Sequence, residues 1–178
     1  FLVTCEIYHA LREIISNAFD EQTISESAEI EIFKDAHGDW HIRDYGRGLK
    51  IEHFTLNENK EKLNAQSGII GKFGVGLKDA LATLHRREVG ITINSSFGTY
   101  GLKQERKHGF NDIVTLHIEY DDSPNDIQGT EFILGKVTDA QMAKAKSLFM
   151  KFAEEEILET TTYGQILRRK GNAARVYI

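Results

Sequence analysis

Glu13, Asn17 and Asp20 stand at i, i+4 and i+7 within Leu11–Asp20 (LREIISNAFD). At 100° per residue they share one helix face about 60° wide. A carboxylate in that position can polarise a water as a general base, an effect worth roughly 10²–10⁴-fold in rate. The Asn17 side-chain carbonyl is a neutral oxygen, suited to a hard Mg²⁺ that phosphates already share. About two dozen residues later comes Asp44-Tyr45-Gly46-Arg47-Gly48. Its glycines allow a tight turn and close approach of a flat ligand. An ionised Asp44 only accepts hydrogen bonds, so it can pair with an exocyclic amine such as adenine N6. A third segment, Gly71-Lys72-Phe73-Gly74-Val75-Gly76, precedes a helical pattern. Bare amides and the positive end of a helix dipole make an anion site there. Taken singly, each segment also has a bland reading: a solvated helix face, a strand-to-loop turn, a glycine-rich loop.

Other phosphate motifs fit this third segment badly. A P-loop needs Gly where Gln66 stands and Ser or Thr where Phe73 stands. A dinucleotide fingerprint has the opposite glycine order and follows a strand.

The elements that must carry these residues are legible from periodicity. Ile7, Leu11, Ile14 and Ala18 form the apolar stripe of a helix over 3–21, well away from Glu13, Asn17 and Asp20. Residues 28–34 alternate as a strand, 35–39 turn, and 40–43 return, delivering Asp44 to the sheet end. Residues 50–70 read as a short helix and a mobile loop. A helix over 77–86 buries Leu77, Leu81 and Leu84. Strands are expected at 89–95, 99–106, 113–120 and 130–134. A loop holds the only proline, Pro124. A helix over 138–158 turns Met142, Ala145, Leu148, Phe149 and Phe152 inward. The order implies an α+β fold, a two-layer sandwich.

Together the segments resemble the GHKL ATPase superfamily, which includes gyrase B, the ninety-kilodalton heat-shock chaperones, histidine kinases and MutL-type proteins. Glu13-x-x-x-Asn17-x-x-Asp20 is similar to the family's N box. Asp44-x-Gly46-x-Gly48 is similar to its first glycine box, Gly71-x-x-Gly74-x-Gly76 to its second, and Gly129-Thr130 to a fourth box on a late strand. Four boxes in order, over roughly residues 1–135, are far more specific than any one. Local wording is nearest the heat-shock chaperones and microrchidia-type ATPases, with gyrase-like touches at Ala18–Glu21 and Asp44–Gly48.

The resemblance implies a Bergerat fold, a mixed, mostly antiparallel sheet with helices on one face. It implies that ATP or ADP binds with Mg²⁺. Glu13 would activate the attacking water, Asn17 would hold the metal, and Asp20 would belong to the same box. Asp44 would read adenine, supported by Thr130, with Gly46 and Gly48 shaping the turn. Gly71, Lys72, Phe73, Gly74, Val75, Gly76, Leu77 and Lys78 would line the phosphates, and residues 50–70 would be the ATP lid. Hydrolysis would couple to lid closure and to dimerisation or domain rearrangement. Two other outputs stay open. One is histidine-kinase-type phosphotransfer, which Glu13 argues against. The other is a nucleotide-gated interaction module without useful turnover.

Bulk properties are compatible. The chain has 178 residues, 40% of them hydrophobic and 28% charged, with a net charge of −5. That is enough for one domain and gives no basic surface inviting nucleic acid. A lone Cys5 rules out an intrachain disulfide and fits a reducing cytoplasm. No apolar run is long enough to span a membrane. The helical start and β-like end suggest a piece of a longer protein, and the resemblance implies a completing Lys or Arg from a second domain beyond Ile178. His37 and His41 with Asp35 and Asp39 read as an exposed turn, Glu154–Glu156 as a solvated helix face, and Lys103, Arg106, Lys107 and His108 as strand-edge charge.

Overall fold

A computed structural model describes residues 6–55, 75–106, 114–153, 155–162 and 164–168. In chain order it contains α1 (Ile7–Ser25), β1 (Glu31–Lys34), β2 (Trp40–Asp44) and the short α2 (Glu52–Thr55). Then come α3 (Val75–Arg86), β3 (Gly90–Ser95), β4 (Gly98–Arg106), β5 (Val114–Asp121) and β6 (Thr130–Gly135). The last elements are α4 (Asp139–Lys146), a 3₁₀ turn (Met150–Phe152), β7 (Glu156–Thr161) and β8 (Gly164–Arg168).

Six strands form one sheet in the order β1-β2-β6-β3-β4-β5. Each neighbouring pair is antiparallel, so the sheet is not mixed. Register explains the division of its two faces. Ile32, Ile42, Phe132, Ile93 and Tyr100 lie in one row across five strands. These side chains join the hydrophobic core with Leu11, Ile14 and Ile15 of α1 and Leu81 and Leu84 of α3. The alternate residues, among them Glu31, Arg43, Glu131, Asn94 and Thr99, form a polar row on the other face. The period-2 alternation of each strand therefore sends its apolar set toward the helices.

α1 is held by its expected stripe, widened by Ala10 and Ile15. It packs against α3 on one side and α4 on the other. It ends at Glu26, which adopts a left-handed conformation and whose N–H returns to the Gln22 carbonyl.

The expected helix over 138–158 is much shorter. α4 starts on a capping box between Thr138 and Gln141 and stops at Lys146. After the 3₁₀ turn the chain extends into β7, which pairs with β8 as a separate two-stranded ribbon. Met142, Ala145 and Phe149 are buried as expected, whereas Leu148 is exposed. The stretch Ile157–Thr161, β-branched at Ile157, Thr160 and Thr161, prefers the extended state, and it overrides the helical spacing upstream. Glu156 accordingly sits on a strand, 3.2 Å from Arg168, rather than on a helix face. Glu154 lies outside the described residues.

β4 is an interior strand, so Lys103 and Arg106 are not edge charges; Lys103 pairs with Glu105 at 2.9 Å. Lys107 and His108 lie outside the described residues. No described helix is long and apolar enough to cross a membrane.

Candidate functional site

One register row ends the central strands on the helix side. Asp44 of β2 pairs with Thr130 of β6, and Thr130 pairs with Ser95 of β3. All three are buried. The Asp44 carboxylate accepts from the Gly46 N–H at 2.9 Å and from both the N–H and the hydroxyl of Thr130. Burial nonetheless pushes its pKa up to about 6, and the nearby Glu21 carboxylate adds to the rise. Gly129 immediately precedes Thr130 at φ +81°, and a Cβ there would strike the Asp44 carbonyl. A side chain is thus doubly excluded beside Asp44.

The turn after Asp44 is tied down from three distant segments. Glu21 of α1 accepts from the Arg47 N–H at 2.9 Å and from its guanidinium at 2.8 and 3.0 Å. A Cβ on Gly46 would collide with the same Glu21 side chain. Ser95 and Tyr100 both donate to the Leu49 carbonyl, at 2.8 and 3.0 Å. Gln128 donates to the Tyr45 carbonyl at 2.9 Å. Gly48, at φ +86°, has the Ser95 and Ser96 hydroxyls where a side chain would go.

Along α1, Glu13 and Asn17 are half-buried and Asp20 is fully buried. Asp20 therefore belongs to the interior and not to an exposed acidic face. The Asn17 NH₂ donates to the Glu13 backbone carbonyl at 2.9 Å, and its side-chain oxygen is the acceptor end. Arg12 makes a short ion pair with Glu13. Gly76, in the first turn of α3, sits so close that a Cβ would meet the Glu13 carboxylate. Leu77 and Lys78 follow in the same turn, both half-buried.

The structure thus brings together Glu13 and Gly76 at one point of α1, and Asp44, Gly46, Gly48 and Thr130 at another. Gly71, Lys72, Phe73 and Gly74 lie outside the described residues, as do 56–70 of the expected lid. Val75 opens α3, and nothing is said of its side chain. Glu21, Arg47, Ser95, Tyr100 and Gln128 escaped sequence reasoning. Only Glu21 carried a signal, being the acid next to Asp20.

His41 is not in a turn but on β2. It lies 3.1 Å from Glu131 and 3.5 Å from Asp35, stacked on Phe33. His37 is exposed on the turn.

Two comparisons bear on ancestry. Residues 140–178, which carry α4 and the β7–β8 ribbon, match the family described as the Mycoplasma pneumoniae MPN635 N-terminal domain. Over 182 aligned positions the chain is 35% identical to an uncharacterized protein of Mycoplasma pneumoniae, strain ATCC 29342 / M129. That alignment covers 99% of this chain and 73% of the relative. The chain belongs to the family of that Mycoplasma protein. Within this Mycoplasma family the shared stretch takes in α1 and the six-stranded sheet as well as the C-terminal ribbon.

Proposed function

We propose that this chain is the ATP-binding domain of a cytoplasmic GHKL-type ATPase, with the sheet and its helices forming a Bergerat sandwich. The reading rests on one observation above all. α1 bridges two glycine-bearing segments, touching Gly46 through Glu21 and Gly76 through Glu13. Eight residues of helix separate those contacts by about 12 Å. At one end stands a buried acceptor, Asp44, suited to a base amine. At the other stands a helix N-terminus beside a carboxylate, suited to phosphates and an attacking water.

Asp44, braced by Thr130 and the Gly46 amide, reads the adenine amine. Glu13 orients and deprotonates the water, and Lys78 with the first amides of α3 faces the phosphates. The site also fits Mg²⁺, through the acceptor end of Asn17. Among the described residues no three His, Cys, Asp or Glu side chains form a metal cage. Asn17 would be one of the one or two protein ligands of an ion whose shell phosphates complete. When bound, the ion would neutralise phosphate charge. In the full-length protein, ATP closes the lid over 50–70 and promotes dimerisation or domain rearrangement.

Arg12 favours a second reading. Its ion pair engages the carboxylate that must act as base, so a nucleotide-gated module with little turnover is the competing output. Calorimetric titration of ADP with Mg²⁺ into the wild type and Asp44→Asn tests the binding half. Binding that the variant loses supports the adenine reader. A folded wild type that binds no nucleotide refutes the proposal.

A further inference from the structure

A groove runs along α4 and holds none of the residues assigned to the nucleotide. Asp139, Met142 and Lys146 line it from the helix, at the three- and four-residue spacing of one helical stripe. From the sheet come Lys34 and Trp40, partners across β1 and β2, and from the 3₁₀ turn comes Phe152. Its volume is about 480 Å³, within the range of small-molecule sites. The aromatic walls are fixed. Phe152 is held by Phe19 and Phe149, with ring centres 5.7 and 6.2 Å away. Trp40 is clamped in register between Lys34 of β1 and Leu134 of β6. Among the described ring contacts none joins Trp40 to Phe152, so the space between them is open to a flat ring.

The polar groups of this groove are unevenly matched. Lys34 and Asp139 satisfy each other at 2.7 Å. Among the described residues Lys146 has no such carboxylate; its ammonium rests 4.9 Å from the centre of the Phe152 ring. The Trp40 indole N–H is buried and makes no hydrogen bond. It lies on the Asp139 side of the groove: the Asp139 pKa is lowered chiefly by Lys34 and last by this N–H, which lacks hydrogen-bond geometry. A buried N–H without an acceptor is rare in a folded protein. Two donors, one of them charged, thus stand unmet beside two aromatic walls.

We propose that this groove binds a small planar aromatic acid, with its ring against Trp40 and Phe152 and its carboxylate on the Lys146 ammonium, the Trp40 N–H being the further donor. Aromatic walls alone would also suit a cation. Here Lys34 and Lys146 already stand 5.8 and 4.9 Å from the two rings, which repels another cation. With Lys34 cancelled by Asp139, one positive charge is left over, and a single carboxylate balances it.

Trp40 is the only tryptophan in the chain, so its indole N–H gives one assignable proton–nitrogen resonance. 2-Naphthoate is titrated into the isotope-labelled, nucleotide-free chain while that resonance is followed by NMR. It is expected to move downfield and saturate as the N–H gains an acceptor. 2-Naphthamide, equal in shape but uncharged, should bind about tenfold more weakly. So should 2-naphthoate to Lys146→Met, which keeps the stem and loses the ammonium. Lys144→Met should match the wild type, because Lys144 faces Tyr8 and Glu6 instead. A wild-type resonance that 2-naphthoate leaves unmoved overturns the proposal. Equal affinities for acid and amide overturn it too, as does undiminished binding by Lys146→Met. A resonance that answers an acidic, apolar peptide and not 2-naphthoate does the same.

Discussion

Replacing Asp44 by Asn should stabilise the fold at neutral pH while removing nucleotide binding. Asp44 is 5% exposed, and burial raises its pKa from the usual 3.8 to about 6. At about 1.4 kcal/mol per tenfold change in acidity, keeping this carboxylate ionised at pH 7 costs about 3 kcal/mol. The sign follows from proton uptake. Between about pH 4 and 6 the folded chain binds more protons at this site than the unfolded chain, so stability falls as pH rises through that window. Above about pH 6 the penalty is complete and flat. Asparagine does not titrate and escapes it. One carboxylate oxygen becomes an NH₂, however, so a donor among Gly46 and Thr130 loses its acceptor, at about 1–2 kcal/mol. The net gain at pH 7 is then about 1–2 kcal/mol, or roughly 3–6 °C in Tm for a chain of this size. Below pH 4 only the lost hydrogen bond remains and the variant should be the less stable form. Urea unfolding of both proteins from pH 3.5 to 8 measures the crossover. A stability difference that does not change with pH would refute the claim that Asp44 is a buried, strained carboxylate.

The same titration predicts that ADP affinity weakens below about pH 6, by up to roughly tenfold per pH unit, as Asp44 gains a proton that turns one acceptor oxygen into a donor and removes its charge; calorimetry at pH 5 and 7.5 checks it, and equal affinities exclude Asp44 as the base reader. Gly129→Ala should destabilise by about 2–4 kcal/mol, combining φ +81° with a Cβ aimed at the Asp44 carbonyl, whereas Gly101→Ala on β4, with open space around it, should be tolerated; thermal melts separate the two. A double-mutant cycle on Glu21→Gln and Arg47→Ala should return about 0.5–1 kcal/mol of coupling, modest because Arg47 is half-exposed, together with a several-fold loss of ADP affinity. Glu13→Ala should abolish phosphate release while leaving ADP affinity within about threefold; a steady-state assay on a full-length protein tests this, and unaltered turnover would remove Glu13 as the base.

What the sequence disclosed was local. Strand alternation located all six strands of the main sheet, because a half-buried strand must repeat every two residues. The apolar spacing around Leu11 and Ile14 located α1 for the same kind of reason. Residues 138–158 failed because Met142, Ala145 and Phe149 share a helical spacing with a stretch that has β propensity beyond Phe152. The braces on the turn after Asp44 were not legible at all. Ser95 and Tyr100 reach the Leu49 carbonyl only once β6 has inserted between β2 and β3 and joined the β3–β4 pair to the sheet. A serine at the end of a strand and a tyrosine in its neighbour carry no spacing that announces such a contact. The burial of Asp20 was hidden likewise, because what packs around α1 is decided only in the folded chain.

These braces bear on how the proposed site divides its labour. The turn carrying Asp44 is fixed by Glu21, Ser95, Tyr100 and Gln128, contributed by α1, the β3 end, β4 and the approach to β6. Ligand binding at that end meets little ordering cost, since the acceptor already stands in place. Glu13 is in a different situation. Its ion pair is with Arg12, the adjacent residue on the same helix, and about a third of each side chain is exposed. A pair of this kind is worth at most about 1 kcal/mol. It holds the carboxylate away from the work of a general base, yet a ligand-driven shift could break it cheaply. The proposed site is therefore preorganised for recognition and only conditionally set for hydrolysis. Arg12→Ala discriminates the two outputs. If the ion pair restrains the base, turnover rises severalfold with ADP affinity unchanged. If turnover stays negligible in Arg12→Ala while binding persists, the module reading replaces the ATPase one.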